Sequence, residues 1–284
     1  MKRFLFILIV GCFLFIFHAC KHKNELIPAY IHIEKIALKI TNASQGSGSE
    51  KISDAWVYID EKFVGCYELP VTFPVLSEGV HQIKVKAGIK VNGIAASRAP
   101  YAFYSEYSQQ IDLKPKEILN LTPVVTYATF ARFTFMENFE NVGIILAPGP
   151  AGTSDTMKQT FDKSLVFEGN ASGITRLNSK KLNFQTVSNT SYILPQAGSP
   201  VYLEFDYKCN HDFTVGIYAH TKTNTSLIPM MGVNPTDKWN KMYAYLTPGV
   251  SNSGNATDFN IYFAMDGGGE DGVELLIDNI KLVY

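Results

Sequence analysis

Apolar and polar residues alternate with a period of two along most of this chain from residue 28 onward. Residues 56–60 read Trp-Val-Tyr-Ile-Asp and residues 81–86 read His-Gln-Ile-Lys-Val-Lys. Successive side chains of a β-strand point to opposite faces, so this period predicts strands with one face in a core. Turn residues such as those at 77–79, Ser-Glu-Gly, separate the runs. The pattern predicts an all-β protein.

The first predicted domain, residues 28–127, consists of short strands at regular spacing, which is typical of a β-sandwich. It resembles a PEGA-like or related Ig-like module through Ala55–Asp60, Val64, Gly65, Pro70 and Leu76–Gly79 with His81. The resemblance implies an Ig-like fold and a spacer or wall-contact role. Residues 92–105 are aromatic and apolar for a loop. We expect a flap folded onto the sandwich, with a contact site for a partner as the alternative.

The second predicted domain, residues 128–284, carries F-E at 139–140, K-W-N-K at 238–241 and I-D-N-I at 277–280. In this order the motifs resemble a β-jelly roll of the galactose-binding-like and carbohydrate-binding-module type. The resemblance implies a structural calcium between the first and last strands, held by Glu140 (or Glu137) and Asp278. Calcium prefers six or more oxygen ligands. The alternative is a solvated Glu140 and a bulge at Asp278 and Asn279.

The first twenty residues form an export signal. Lys2 and Arg3 precede an apolar run from 4 to 17, followed by Ala19 and Cys20. The segment resembles a Bacteroidetes-type lipoprotein signal, which implies a signal peptide at 1–19, a lipidated Cys20 and a tether at 20–27. It also implies a lipid anchor in a bacterial outer membrane. The residues after Cys20 are basic rather than acidic, so both the cell surface and the periplasmic face stay open.

The charge of the chain argues against nucleic acid as a partner. The net charge is −1 and 18% of the residues are charged, so no basic surface is expected. Two cysteines, Cys66 and Cys209, remain after the signal. A disulfide between them is allowed in an oxidising compartment, and two unpaired strand cysteines are the alternative.

Strand parity singles out one set of tyrosines in the second domain. The apolar residues of each strand must face the core, which places five tyrosines on the opposite, outward parity. Polar residues of the same parity could accept hydrogen bonds from sugar hydroxyls while the rings stack on sugar faces. The predicted glycan-binding residues are Tyr202, Glu204, Asp206, Tyr218, His220, Tyr243, Tyr245 and Tyr262. The alternative is packing against the first domain or a partner protein, which contact with residues 92–105 would favour.

No catalytic constellation is present in the sequence. It lacks G-x-S-x-G, H-E-x-x-H, a P-loop and paired-cysteine zinc spacing, so we expect no enzyme. The tripeptide Asp155-Thr156-Met157 matches the O-glycosylation site of Bacteroidetes-type exported proteins and predicts modification of Thr156.

These observations lead to two hypotheses. The first is a non-catalytic, lipid-anchored cell-envelope protein that binds a polysaccharide or envelope glycan through the tyrosine face. The second is a structural or assembly subunit of an envelope protein complex, with the same face as a protein interface.

Overall fold

The computed structural model describes residues 27–150 and 152–284. The predicted signal peptide, Cys20 and the tether up to residue 26 lie outside the described residues. The described part contains one short α-helix and otherwise strands and connections, so the prediction of an all-β protein is confirmed. No helix among the described residues is long and apolar enough to cross a membrane.

Ten strands precede residue 128. They are β1 (Ala29–Ile33), β2 (Ala37–Leu38), β3 (Asp54–Ile59), β4 (Lys62–Glu68), β5 (Val71–Val75), β6 (Gly79–Lys90), β7 (Arg98–Pro100), β8 (Tyr107–Leu113), β9 (Ile118–Leu121) and β10 (Val124–Val125). Two short 3₁₀ turns occupy Ala43–Gln45 and Val91–Gly93.

These strands form the first sandwich. One sheet has the order β5-β1-β9, and the larger sheet has the order β4-β3-β6-β7 with β8 also paired to β6. The alternation seen in the sequence sets the inner face, since Val57, Ile83 and Val85 are fully buried. Strand β4 is the free edge of the larger sheet, and its residues are mostly exposed.

Eleven further strands follow. They are β11 (Phe133–Glu137), β12 (Leu146–Pro148), β13 (Lys158–Thr160), β14 (Ser172–Leu177), β15 (Asn183–Ser188), β16 (Tyr202–Cys209), β17 (Phe213–His220), β18 (Thr225–Val233), β19 (Thr236–Tyr245), β20 (Asp258–Asp266) and β21 (Val273–Val283). Helix α1 (Thr247–Asn252) connects β19 to β20.

These strands form the jelly roll, which consists of two sheets. Sheet I has the order β13-β14-β21-β16-β19, with β11 also paired to β21. Sheet II has the order β12-β15-β20-β17-β18. The core between them buries Leu203, Phe205, Val215 and Phe263 completely. Burial of this many large apolar side chains is the main stabilising contribution to such a sandwich.

The segment 92–105 closes the free edge of sheet I. The backbone N–H of Tyr245, on edge strand β19, donates a 2.7 Å hydrogen bond to the Oδ1 atom of Asn92. Asn92 has φ +55°, a left-handed conformation that asparagine tolerates better than most residues. An exposed edge strand is a template for unwanted pairing, so this contact protects the jelly roll while joining it to the first sandwich.

The two cysteines are free thiols. Cys66 is exposed on β4 and Cys209 is buried on β16. They take the unpaired alternative that the sequence left open.

Candidate functional site

The five predicted tyrosines do not share one sheet. Tyr202 lies on β16, and Tyr243 and Tyr245 lie on β19, so these three belong to sheet I. Tyr218 on β17 and Tyr262 on β20 belong to sheet II. The sequence left open whether the five share one sheet, and in this structure they do not. Parity assigned each residue to the outer face of its own sheet, but it carries no information on which sheet a strand joins.

The three tyrosines of sheet I are covered by the first sandwich. The exposed fraction is 6% for Tyr202 and 2% for Tyr243, and Tyr245 is half-buried. The Tyr101 ring lies 5.1 Å from that of Tyr202 and 5.0 Å from that of Tyr243, between ring centroids. The hydroxyl groups of Tyr104 and Tyr243 lie 3.0 Å apart. This contact with the 92–105 segment is the outcome that favours packing over glycan binding for these rings.

The two predicted carboxylates of sheet I are also buried. Glu204 accepts hydrogen bonds from the Tyr101 hydroxyl at 2.6 Å and the Tyr127 hydroxyl at 2.8 Å. Asp206 accepts a 2.6 Å hydrogen bond from the Ser49 hydroxyl. Both side chains therefore bind groups of the first sandwich, and the prediction that they face a glycan is wrong in this structure.

Two lysines compensate the buried carboxylates. The Nζ atom of Lys241 lies 3.7 Å from Glu204 and 3.6 Å from Asp206, and it has no hydrogen-bond partner among the described residues. Lys281 donates to the Ser47 carbonyl oxygen, and its Nζ lies 5.1 Å from the centre of the Tyr127 ring. Burial lowers the pKa of Lys281 to about 8, although the charge of Glu204 acts in the opposite direction.

The buried tyrosines of this interface resist ionisation. Burial, followed by the neighbouring charge of Glu204, raises the pKa of Tyr101 well above its usual value. Burial is also the main reason why the pKa values of Tyr104, Tyr127 and Tyr243 are raised well above 10. We call these four tyrosines with Glu204 the interface cluster. It is built from both domains and holds them together.

The predicted residues of sheet II lie away from the interface cluster, but their rings are also buried. The exposed fraction is 6% for Tyr218 and 2% for Tyr262, and the two ring centroids are 5.4 Å apart. The Tyr218 hydroxyl donates a 2.8 Å hydrogen bond to Gln185. His220 is half-buried and lies 2.6 Å from the Oδ1 atom of Asn260. These groups are engaged with the jelly roll itself, so they do not form an open stacking surface.

The predicted calcium ligands already accept hydrogen bonds from the protein. Glu137 accepts from the N–H groups of Phe139 and Ile145, each at 2.7 Å. Glu140 accepts from the N–H groups of Asn170 at 2.6 Å and Ala171 at 3.0 Å.

Asp278 is engaged in the same way. It accepts from the Ser172 hydroxyl at 2.6 Å and from the Asn279 N–H at 2.7 Å. Burial raises its pKa to about 7. Within the described ranges, no group of three or more His, Cys, Asp or Glu side chains is placed to hold a metal ion. Calcium binding stays a prediction.

The predicted O-glycosylation site lies in an extended segment just before β13. Asp155 and Met157 are buried, at 8% and 7% exposure, and Thr156 is half-buried. Asp155 forms salt bridges with Lys158 at 3.1 Å and Lys181 at 3.0 Å. An enzyme that reads all three residues would have to act before this segment folds. Modification of Thr156 stays a prediction.

An exposed aromatic surface lies elsewhere, on the outer face of the larger sheet of the first sandwich. Trp56 and Tyr58 on β3 are half-buried, and Phe63 on β4 is 53% exposed. The Phe63 ring centroid lies 5.6 Å from that of Trp56 and 5.3 Å from that of Tyr58. We call these three residues the aromatic platform. Register explains it, because Tyr58 and Phe63 are directly opposite each other in the β3–β4 pair.

The sheet beneath the platform is shaped to receive the indole ring. A Cβ atom added at Gly88 would come within 2.8 Å of the Trp56 ring, so only glycine leaves room for the ring there. The Nζ atom of Lys86 lies 5.3 Å from the centre of the Tyr58 ring. Lys84, in a salt bridge with Glu61, stands beside Lys86 on the same face of β6. Rings bordered by charged and polar side chains can bind a ligand that is apolar on one side and rich in hydroxyls at its edge.

The sequence contains a signal for part of this surface. The alternation at 56–59 places Trp56 and Tyr58 on one face, and Val57 and Ile59 on the buried face. Phe63 could not be assigned from alternation alone, because a bulge at Val57 and Tyr58 shifts the register of β4.

Comparisons with known proteins give matches among solved structures. No protein-family model matches the chain, and no curated protein matches it. The chain is similar to the CBM22-1 xylan-binding domain of Paenibacillus barcinonensis Xyn10C, at 12% identity and TM-score 0.40, covering 55% of this chain and 96% of that one.

It is also similar to the family 30 carbohydrate-binding module of Cel9D-Cel44B from Clostridium thermocellum, at 15% identity and TM-score 0.38, covering 52% of this chain and 96% of that one. A third similar structure is a variant of the family 29 module CBM29-2 in complex with mannohexaose, at 13% identity and TM-score 0.36. The match covers 54% of this chain and 92% of that one. All three solved structures are carbohydrate-binding modules.

Proposed function

We propose that this protein is a non-catalytic carbohydrate-binding protein of the bacterial cell envelope, anchored through a lipid on Cys20. The observation that carries the binding function is the aromatic platform of Trp56, Tyr58 and Phe63. It is an open surface with three adjacent rings, one of them more than half exposed.

The chemistry of sugars suits such a surface. A pyranose ring presents C–H groups on its faces and hydroxyl groups around its edge. The faces stack on aromatic rings, and the edge hydroxyls exchange hydrogen bonds with polar side chains such as Lys84, Lys86 and Glu61. Aromatic rings offer a large apolar area at low entropic cost, because few torsions are frozen on binding.

The jelly-roll tyrosines are a weaker candidate for the same function. Tyr202 and Tyr243 of sheet I are packed against the chain's own first sandwich, which leaves their rings little exposed surface for a glycan or a partner protein. Tyr218 and Tyr262 of sheet II are 6% and 2% exposed, so stacking on them would require the surrounding side chains to move.

A polysaccharide array tests the proposal. Purified protein is screened against xylan, mannan, pectic and envelope glycans, with Trp56→Ala, Phe63→Ala and Tyr218→Ala variants in parallel. We expect binding to at least one glycan, with a loss of tenfold or more in the first two variants. Phe161→Ala is the matched control, because Phe161 is 66% exposed and belongs to another surface. Binding that survives both platform variants and disappears in Tyr218→Ala would move the site to sheet II.

A second function, assembly subunit of an envelope complex, is favoured by one observation. Strand β4, which carries Phe63 of the platform, is a free edge, and Val64 on it is 38% exposed. A free edge can pair with a strand of another protein. A well-folded protein that binds no glycan and is crosslinked to one specific envelope protein through β4 would support this function instead.

A further inference from the structure

A cleft with a volume of about 140 Å³ lies where the two domains meet. The first sandwich contributes Lys51, Lys90 and Asn92 to its wall, and the jelly roll contributes Tyr207, Asn234 and Asn240. Clefts that hold drug-sized ligands measure roughly 300–1,000 Å³. This one therefore has room for a single small ring or ion and not for an extended chain.

The wall of the cleft is positively charged. Lys51 and Lys90 supply this charge, because Lys241 faces the buried carboxylates of Glu204 and Asp206. No aspartate or glutamate is among the lining residues. A cleft lined by one sign of charge concentrates ligands of the opposite sign.

Lys51 is the cation with the least compensation. In the described part of the chain its Nζ donates to the amide oxygen of Asn240, and no carboxylate lies within 4 Å of it. Burial and the nearby charge of Lys90 lower the pKa of Lys51. Lys90 is partly neutralised, since its Nζ lies 3.1 Å from Glu68. A negative group between the two lysines would relieve their repulsion and gain two charge-assisted hydrogen bonds.

The rest of the wall fits a hydroxylated ring and not a bare ion. Asn234 supplies an amide group that can both donate and accept, and the Ser53 hydroxyl can accept. A small ligand with one carboxylate and several hydroxyl groups matches this set.

We infer that the interdomain cleft binds one uronic-acid residue of an acidic glycan, with its carboxylate between Lys51 and Lys90. This inference rests on the proposed carbohydrate-binding function and names a class of sugar for a second site. The aromatic platform would hold the body of the chain, and the cleft would select an acidic sugar unit.

Isothermal titration calorimetry of the purified protein with D-glucuronate tests the inference. D-glucose, which lacks the carboxylate, is the uncharged comparison ligand. We expect glucuronate to bind at least tenfold more tightly than glucose. Lys51→Met, which keeps the length and removes the charge, should weaken glucuronate binding at least tenfold. Lys62→Met is the control, because Lys62 is exposed in the β3–β4 hairpin, outside the cleft.

Three results would overturn the inference. They are equal affinity for glucose and glucuronate, glucuronate binding that is unchanged in Lys51→Met, and acetate or phosphate binding as tightly as glucuronate. Trp56→Ala separates the two sites. If glucuronate binding persists in this variant while polysaccharide binding is lost, both sites are supported. If no variant binds polysaccharide but glucuronate still binds, the cleft site is supported and glycan binding at the platform is refuted.

Discussion

The hydroxyl group of Tyr101, in the segment 92–105 of the first sandwich, donates a 2.6 Å hydrogen bond to Glu204 on sheet I of the jelly roll. Glu204 has no exposed surface. A buried carboxylate is costly unless several groups compensate it. The Tyr127 hydroxyl provides a second hydrogen bond and Lys241 a counter-charge. Groups from both domains are therefore needed to compensate this one buried carboxylate.

Replacing Glu204 with Gln should destabilise the whole chain. The change keeps the shape but leaves Lys241 and Lys281 with less compensation, and breaking a buried ion pair costs about 3–5 kcal/mol. Urea unfolding measures the loss. Glu61→Gln is the control, because its salt bridge with Lys84 is exposed and such bridges contribute little to stability. A loss below about 1 kcal/mol in Glu204→Gln would show that the interface cluster does not hold the domains together.

The interface tyrosines should make the protein sensitive to alkali. Their pKa values are raised in the folded state, so above pH 10 the unfolded chain releases protons that the folded chain retains. The free energy of unfolding must therefore fall as pH rises above 10. Of the 15 tyrosines, Tyr101, Tyr104, Tyr127 and Tyr243 should ionise only when the chain unfolds. Tyrosinate absorbance followed together with circular dichroism measures this. Complete ionisation of all 15 in the folded protein would be the contrary result.

Asn92 should protect the edge of β19. Asn92→Gly removes the amide oxygen that accepts from the Tyr245 N–H but suits the left-handed backbone, and we expect a loss of about 1 kcal/mol. Asn92→Ala should lose about 1 kcal/mol more, because alanine is strained at φ +55°. Asn255→Ala, at an exposed position, is the control. Hydrogen exchange at the Tyr245 amide should be faster in both Asn92 variants. An unchanged rate would show that the Asn92 side chain does not protect this amide.

Cys20 should anchor the protein to the membrane. Cys20→Ala removes the thiol that would carry the lipid, so the variant should leave the membrane fraction and become soluble after cell lysis. Fractionation with detection by antibody measures this, with Cys66→Ala as the control. An unchanged distribution of Cys20→Ala would refute the lipid anchor.

The all-β fold could be predicted because alternation over many short segments leaves few other solutions. The inner faces could also be predicted, since Leu203 and Phe205 lie in the core that their parity indicates. What covers the outer faces could not. Tyr243 and Lys241 share the parity of a solvated surface, yet the first sandwich buries both. Alternation along one strand describes local faces, and the burial of an outer face depends on another domain far away in the sequence.

The aromatic platform is an outer face that no other domain buries. Trp56 and Tyr58 have the same parity as each other, as Tyr243 and Tyr245 do, and no domain covers them. Only the arrangement of the two domains distinguishes an aromatic face that is packed from one that is open. A bulge in β3–β4 brings Phe63 to the same surface, and bulges have no reliable sequence signal.

The fluorescence of Trp56 provides the most direct test of glycan binding at the platform. The chain has two tryptophans, and Trp239→Phe leaves Trp56 as the single reporter. This variant is titrated with the glycans of the array, and the same samples are measured by calorimetry. We expect a saturable change in Trp56 emission with the same dissociation constant as the heat of binding. Binding heat without any change in emission, retained in Trp56→Ala, would contradict it.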